Sequence, residues 1–293
     1  MRAFKNFLRI FSVAVVLLAG VLVFCYVGKE VDLLTVRYTI ETDKFSKGHV
    51  YKLVSLSDYH NHGLSYRNET LEEAIKAENP NSVMMTGDMV DSHSTDGHLK
   101  ELDDFVGWME QEDYPIYFVS GNHEEDAPSE ITDQAYQIYA KHGVKMHSDL
   151  QNGMTLDESN GVLLRLFGFR DPGLGDKSET GLEVGSNIYE QVKGMELNQS
   201  DFNLLLSHRP SYFEAAKKKG FDLTLSGHTH AGQVNLFGYP LLSTPWTKYE
   251  QGNFLEDGKR LIISNGLGES YQFPFRYHCP YTLLSITIVG TKE

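Results

Sequence analysis

Five short apolar runs in this chain end abruptly in side chains able to ligate a metal, and that repeated grammar constrains the fold more than any other feature. Leu53-Val54-Ser55-Leu56 runs into Asp58-Tyr59-His60, Val83-Met84-Met85 into Gly87-Asp88, and Ile116-Tyr117-Phe118-Val119 into Gly121-Asn122-His123-Glu124. Leu204-Leu205-Leu206 runs into His208, and Leu223-Thr224-Leu225 into Gly227-His228-Thr229-His230. An apolar run of this length bounded by turn residues reads as a buried strand. Polar groups gathered at strand ends are where sites tend to form. Five strands are therefore expected to deliver their terminal side chains to one rim.

The intervening segments supply helices. Leu71, Ala74 and Ile75 share one face of a helix expected from Asn68 to Ala77, which Asn79-Pro80 ends. Leu99, Leu102, Phe105 and Met109 line a second helix, and Pro115 opens the next strand. Strand, helix, strand, helix, strand is a parallel crossover pattern. Further on, a helix is expected near Ile131–Lys141, a strand at Leu163–Phe167, and a Gly-rich loop from Asp171 to Ser186. Pro210 can open a helix that ends in Lys217-Lys218-Lys219 before Gly220. Short strands are then expected at Val234–Phe237, Leu261–Ser264 and Thr282–Val289, after an early one around Val36, Tyr38 and Ile40. The whole reads as two packed sheets with helices outside.

The strand ends collect Asp58, His60, Asp88, Asn122, His208, His228 and His230, a set of two carboxylates, one amide and four imidazoles. Nitrogen and oxygen donors without sulfur suit manganese, iron or zinc better than magnesium or calcium. Seven side chains exceed the need of one tetrahedral ion and suit two divalent ions sharing a carboxylate, about 3.5–4 Å apart. Each short motif is weak alone. Their joint order, Asp-x-His, Gly-Asp-x-x-Asp, Gly-Asn-His-Glu, an isolated His, and Gly-His-Thr-His, resembles the calcineurin-like metallophosphoesterases throughout the body of the chain. Ser57-Asp58-Tyr59-His60, the run from Ser226 to Gln233 and the late Arg276-Tyr277-His278-Cys279-Pro280 look most like an exported or membrane-associated bacterial branch of that family.

The resemblance implies a four-layer α/β/β/α sandwich. By motif, Asp58, His60, Asp88 and His230 would hold one ion, and Asp88, Asn122, His208 and His228 the other, with Asp88 as the bridge. A hydroxide between the ions would attack phosphorus opposite the leaving group. His123 would give a proton to the departing oxygen, and Asp91 would orient that imidazole and keep it protonated. Tyr59 and Ala231 depart from residues common in the family and flank ligands.

The first thirty residues differ in kind. Arg2, Lys5 and Arg9 precede an uncharged stretch from Ile10 to Val27, which as a helix would span about 27 Å, close to a bilayer's hydrocarbon core. Its length and the bulky Phe24-Cys25-Tyr26-Val27 favour an uncleaved anchor over a signal peptide. The flanking charges place the N-terminus in the cytoplasm and the body outside. Residues 1–29 are then a cytoplasmic tip and transmembrane anchor, and 30–293 a single catalytic domain. That body has 22 basic against 40 acidic residues, which argues against duplex nucleic acid as a partner. Its only cysteine is Cys279, so it has neither an internal disulfide nor a thiolate metal site.

The expected activity is hydrolysis of a phosphodiester, pyrophosphate or phospholipid-like headgroup, with loops at Glu124–Ser129 and Asp171–Ser186 choosing the substrate. The alternatives are a nucleotide or monoester phosphatase and a non-catalytic metal-binding module. Intact His123 and Asp91 weigh against the last, because a scaffold needs no proton donor. His62, His93 and His98 lie near the ligands but read first as solvated loop residues. His49, His142 and His147 read as surface residues and His278 as part of a turn. Arg170 and Arg209 are each able to steady a phosphate, against the plainer reading that they pair with acids.

Overall fold

The structure is a computed structural model that describes residues 11–13, 15, 16, 18–20, 33–60, 68–127, 129–173, 187–236, 239–240, 248–269 and 276–293. In chain order its strands are β1 (Leu33–Ser46), β2 (Val50–Leu56), β3 (Ser82–Met85), β4 (Ile116–Phe118), β5 (Lys145–Met146), β6 (Met154–Ser159) and β7 (Val162–Gly168). They continue as β8 (Phe202–Leu206), β9 (Leu223–Ser226), β10 (Asn235–Leu236), β11 (Tyr239–Pro240), β12 (Gly252–Glu256), β13 (Lys259–Ile263) and β14 (Tyr281–Lys292).

Two mixed six-stranded sheets result, in the orders β1-β14-β2-β3-β4-β5 and β12-β13-β9-β8-β7-β6, with β10-β11 as a separate hairpin. Within the first, β2, β3, β4 and β5 are mutually parallel. Within the second, β13, β9, β8 and β7 are mutually parallel. Side-chain alternation along each strand then assigns the layers. Leu53, Met84 and Tyr117 of the first sheet meet Leu164, Leu204, Leu206 and Leu225 of the second. On the other face of the first sheet, Val54, Leu56, Val83 and Met85 lie under Leu71, Ile75, Leu102, Phe105 and Tyr139 from helices. Beyond the second sheet, Phe167 and Leu205 lie under Val192, Ala215 and Ala216. Helices thus cover the outer faces while the inner faces pack together.

The expected helices are present with shifted bounds, at Asn68–Glu78, Asp96–Gln111, Ser129–Lys141 and Phe213–Lys219. Thr95 caps the second through a reciprocal exchange with His98, so His98 belongs to a helix start. The early strand is longer than its alternation suggested, because β1 pairs in parallel with β14 over most of its length. Of the strand expected at Val234–Phe237, Asn235–Leu236 is strand, paired antiparallel with β11, and Phe237 lies outside the described residues.

Of the Ile10–Val27 stretch, residues 11–13, 15, 16 and 18–20 are helical, with Phe11, Val13, Val15, Val16 and Leu18 exposed. The rest of that predicted span lies outside the described residues, and among those described no helix is long and apolar enough to cross a membrane. His62 and residues 174–186 of the Gly-rich loop also lie outside them.

Parallel pairing positions the site. Asp58 follows the end of β2 by two residues, Asp88 that of β3 by three, and Asn122 that of β4 by four. His208 and His228 each follow β8 and β9 by two. All five leave carboxyl ends, so the two sheets offer one composite rim.

Candidate metal centre

The rims of the two sheets are tied together at Asp58. Its carboxylate accepts the His228 backbone N–H at 3.0 and 3.1 Å, and its carbonyl accepts from Gly268 N at 2.6 Å. Gly227 permits the approach, since a Cβ there would collide with Ser57 Oγ and Asp58 Oδ2. Gly121 does the same for the neighbouring loop, where a Cβ would collide with Asp88 Oδ1.

The ligand candidates fall into two groups joined by one carboxylate. Ligand atoms of Asp58, His60 and His230 lie within 4.8 Å of one another, as do those of Asp88, His208 and His228. His60 Nε2 is 3.2 Å from His230 Nε2, and His230 Nε2 is 3.6 Å from Asp58 Oδ1. Asp88 Oδ2 stands 3.0 Å from His208 Nε2 and 3.8 Å from His60 Nε2, between the groups, while its Oδ1 accepts the His123 backbone N–H at 2.8 Å. Asn122 Oδ1 is buried without a hydrogen-bond partner among the described residues. Buried lone pairs of this kind need a cation or a donor. His208 Nδ1 lies 2.8 Å from the Thr86 carbonyl, which can only accept, so Nδ1 keeps a proton and Nε2, beside Asp88, is the nitrogen that a cation could deprotonate and bind. This donor set fits divalent metal.

Asp58, His60, Asp88, His228 and His230 all have positive φ, between 47° and 72°. Non-glycine residues rarely adopt that region, and clusters of them mark sites where the surrounding packing holds the backbone in place.

The charges point the same way. Burial pushes the Asp58 carboxyl up, with a further push from Asp88. Burial also works against ionised Asp88, but His208, His123 and His60 around it hold its carboxyl well below the usual range. At His208 burial opposes the imidazolium, yet Asp88 outweighs it and the pKa is pushed up to about 10. His228 and His230 are pushed well below their ordinary value by burial, and then by His208 and Arg209 in the first case and His60 and Arg276 in the second. In the polypeptide alone, protons gather beside Asp88, where a bridged cation would sit.

His123 meets the edge of the His60 ring at 4.8 Å. Burial pushes its pKa down, so the polypeptide alone does not keep it protonated as the resemblance implies. Asp91 was expected behind His123. Its Oδ2 lies 3.5 Å from His60 Nδ1, and its carboxylate, His60 and His123 form a third group within 4.8 Å, so Asp91 stands behind His60 and beside His123.

Glu124 has a role that motif reading missed. Buried, it accepts the backbone N–H groups of Asp88 (2.8 Å), Met89 (2.6 Å), Val90 (3.2 Å) and Gly121 (2.8 Å). One signal was present, since a Glu three residues into a helix after Gly121 is the capping-box position. The other three bonds cross to the Asp88 loop. Burial and the Asp88 charge push its pKa up to about 7 against these donors.

The remaining candidates divide. Tyr59 is buried against Phe105 and its hydroxyl donates to Asn68, so it belongs to the core. Arg276, fully buried, donates to the Asn265 carbonyl at 2.7 Å and sits 3.1 Å from His230 Nδ1. His278 has a φ of 48° and forms a turn. His49 pairs with Asp157, and His142 lies between Asp103 and Glu110. His147, expected at the surface, is half-buried against Tyr136. Arg170 pairs with Glu125 and Arg209 with Asp171.

Residues 51–232 match the family described as calcineurin-like phosphoesterase. An uncharacterised metallophosphoesterase of Aquifex aeolicus is 29% identical over 276 residues, covering 92% of this chain and 98% of that protein. One from Campylobacter jejuni is 25% identical over 97% of this chain and 71% of its own length. The uncharacterised metallophosphoesterase YkuE of Bacillus subtilis is 25% identical over 88% and 86%.

Proposed function

This chain belongs to the calcineurin-like phosphoesterase family and is a metal-dependent phosphoester hydrolase; from that premise we propose that two divalent cations share Asp88. The observation that carries this reading is the Asp88 Oδ2 position, 3.0 Å from His208 Nε2 and 3.8 Å from His60 Nε2. Asp58, His60, Asp88 and His230 hold one ion, and Asp88, Asn122, His208 and His228 the other. The donor chemistry favours manganese, iron or zinc. When bound, such ions offset phosphoryl charge and lower the pKa of water enough for it to attack phosphorus.

The chain's own groups do the rest. Asp88 Oδ1 pins the His123 backbone beside the shared carboxylate. His123 donates a proton to the departing oxygen, and the negative charge of a bound phosphoester raises its depressed pKa so that it carries that proton. Asp91 orients His60 and His123 together.

Residues 10–27 anchor the chain, with residues 1–9 cytoplasmic and the catalytic body outside; the basic residues before this stretch and the exposed Phe11, Val13, Val15, Val16 and Leu18 support that reading. The substrate on this reading is a diester, a pyrophosphate or a phospholipid-like headgroup, the last suggested by a site held beside a bilayer. The test is metal analysis of the full chain in detergent, with manganese-supplemented assays of an activated phosphodiester and its monoester. Diester cleavage well above monoester cleavage, abolished by a chelator and by His123→Ala, is expected. Preferred monoester cleavage would replace the substrate assignment, and turnover persisting in His123→Ala would remove the proton-donor assignment.

A further inference from the structure

Arg209 follows His208 directly and is 5% exposed. Its Nε lies 3.0 and 3.3 Å from the Asp171 oxygens, and its Nη2 donates to Asp171 Oδ1 at 3.1 Å and to the Gly173 carbonyl at 3.2 Å. Asp171 is itself held by Gly173 N at 2.9 Å, by the Tyr212 hydroxyl at 3.4 Å, and through its own N–H on Ser120 Oγ at 3.2 Å. Loops after β4, β7 and β8 thus converge on one guanidinium. Those bonds occupy Nε and Nη2. Among the described residues Nη1 has no hydrogen-bond partner, and it is not one of the buried unpaired atoms, so this edge of an otherwise buried side chain stays open.

Asp171 and Gly173 thus fix the guanidinium plane and leave one N–H edge open to an incoming acceptor. Its place in the fold is at the centre's rim: the preceding His208 stands 3.0 Å from Asp88 Oδ2, and Ser120, which holds Asp171, lies two residues before Asn122. The other cations nearby are occupied. Arg276 stands behind His230, and the exposed Arg170 pairs with Glu125.

We propose that Arg209, held in plane by Asp171, takes a non-bridging oxygen of the substrate's phosphoryl group through Nη1. A fixed guanidinium edge recognises phosphate oxygens in a way that a flexible ammonium does not. The inference rests on the hydrolase reading above and locates the substrate's anionic oxygens on the His208–His228 side of the centre.

The test compares wild type with Arg209→Gln, Arg209→Lys and Asp171→Asn in the manganese-loaded full chain. It reads metal content, melting temperature, the Kd of inorganic phosphate by calorimetry, and KM and kcat for an activated phosphodiester. Arg209→Gln is expected to keep its metal and raise the phosphate Kd and the KM about 10- to 100-fold, with Arg209→Lys recovering part of the loss. Asp171→Asn, which keeps the Arg209 cation but loosens its aim, is expected to lose several-fold. A phosphate Kd unchanged within about twofold in Arg209→Gln, or in the other two variants should that one not fold, overturns the proposal. Phosphate binding reads Arg209 whether or not an ester is turned over, so a wild type without turnover refutes the hydrolase reading alone.

Discussion

The two ligand groups are braced in opposite ways. In the Asp88, His208 and His228 group, the Thr86 carbonyl accepts from His208 Nδ1 and commits Nε2 to the centre, while Glu124 gathers four backbone N–H groups around the Asp88 loop. In the Asp58, His60 and His230 group, His60 is backed by Asp91, but His230 Nδ1 faces Arg276, which can only donate. A proton donated to Nδ1 leaves the other proton on Nε2, 3.2 Å from His60 Nε2. An ion entering the first group has only to displace the His208 Nε2 proton while the Nδ1 anchor is kept, whereas His230 must exchange tautomers to join the second. On the proposed two-ion reading, ion affinities differ, with the tighter ion between Asp88, Asn122, His208 and His228.

The change with the largest expected effect is Asp88→Asn, which removes the negative charge shared by both groups. Loss of both ions is expected, and kcat/KM is expected to fall by about 10³-fold or more, about 4 kcal/mol or more in transition-state stabilisation. Metal titration checks it, and retention of one full equivalent would show that the groups do not depend on a common carboxylate.

Next comes pH. His208 has a folded-state pKa of about 10, above its ordinary value of about 6.5. Its contribution to the stability of the chelated protein is therefore complete below about pH 6.5 and lost as pH rises towards 10, on the order of a few kcal/mol. The metal-loaded protein is expected to show no such decline, because His208 is then a neutral ligand. Denaturant midpoints between pH 6.5 and 10, with and without manganese, make the comparison, and parallel profiles would take His208 out of the metal set.

Glu124→Gln is expected to destabilise by about 2–3 kcal/mol, since a carboxamide turns its own N–H donors towards backbone N–H groups. It should weaken the tighter ion about 10-fold or more through the Asp88 loop. Asp91→Asn is the mildest, with about a 10-fold loss, about 1.4 kcal/mol, confined to the weaker ion through His60. Equal weakening of both ions by either variant would erase the distinction between the groups.

Much of the centre is legible in the sequence because it is local. A buried strand that stops at Gly-Asp or Gly-His places that side chain at the strand's carboxyl end whatever surrounds it, and the seven ligand candidates follow from five such stops. The sheets, most helices and the turn at His278 follow from periodicity and punctuation of the same local kind. The pairing of Asp171 with Arg209 is not legible, because 38 residues separate them. Nor is the Asp58 contact to His228, across 170. Motif order alone set Asp91 behind His123, and only the packing of the loop at residues 88–91 turns its carboxylate towards His60. Glu124 announces one of its four hydrogen bonds in sequence, the one within its own helix. Local chain chemistry therefore decides which side chains reach the rim. Which carboxylate is shared, which imidazole nitrogen is free and where Arg209 aims were decided by tertiary structure, because each depends on donors and acceptors that distant loops bring within about 3 Å.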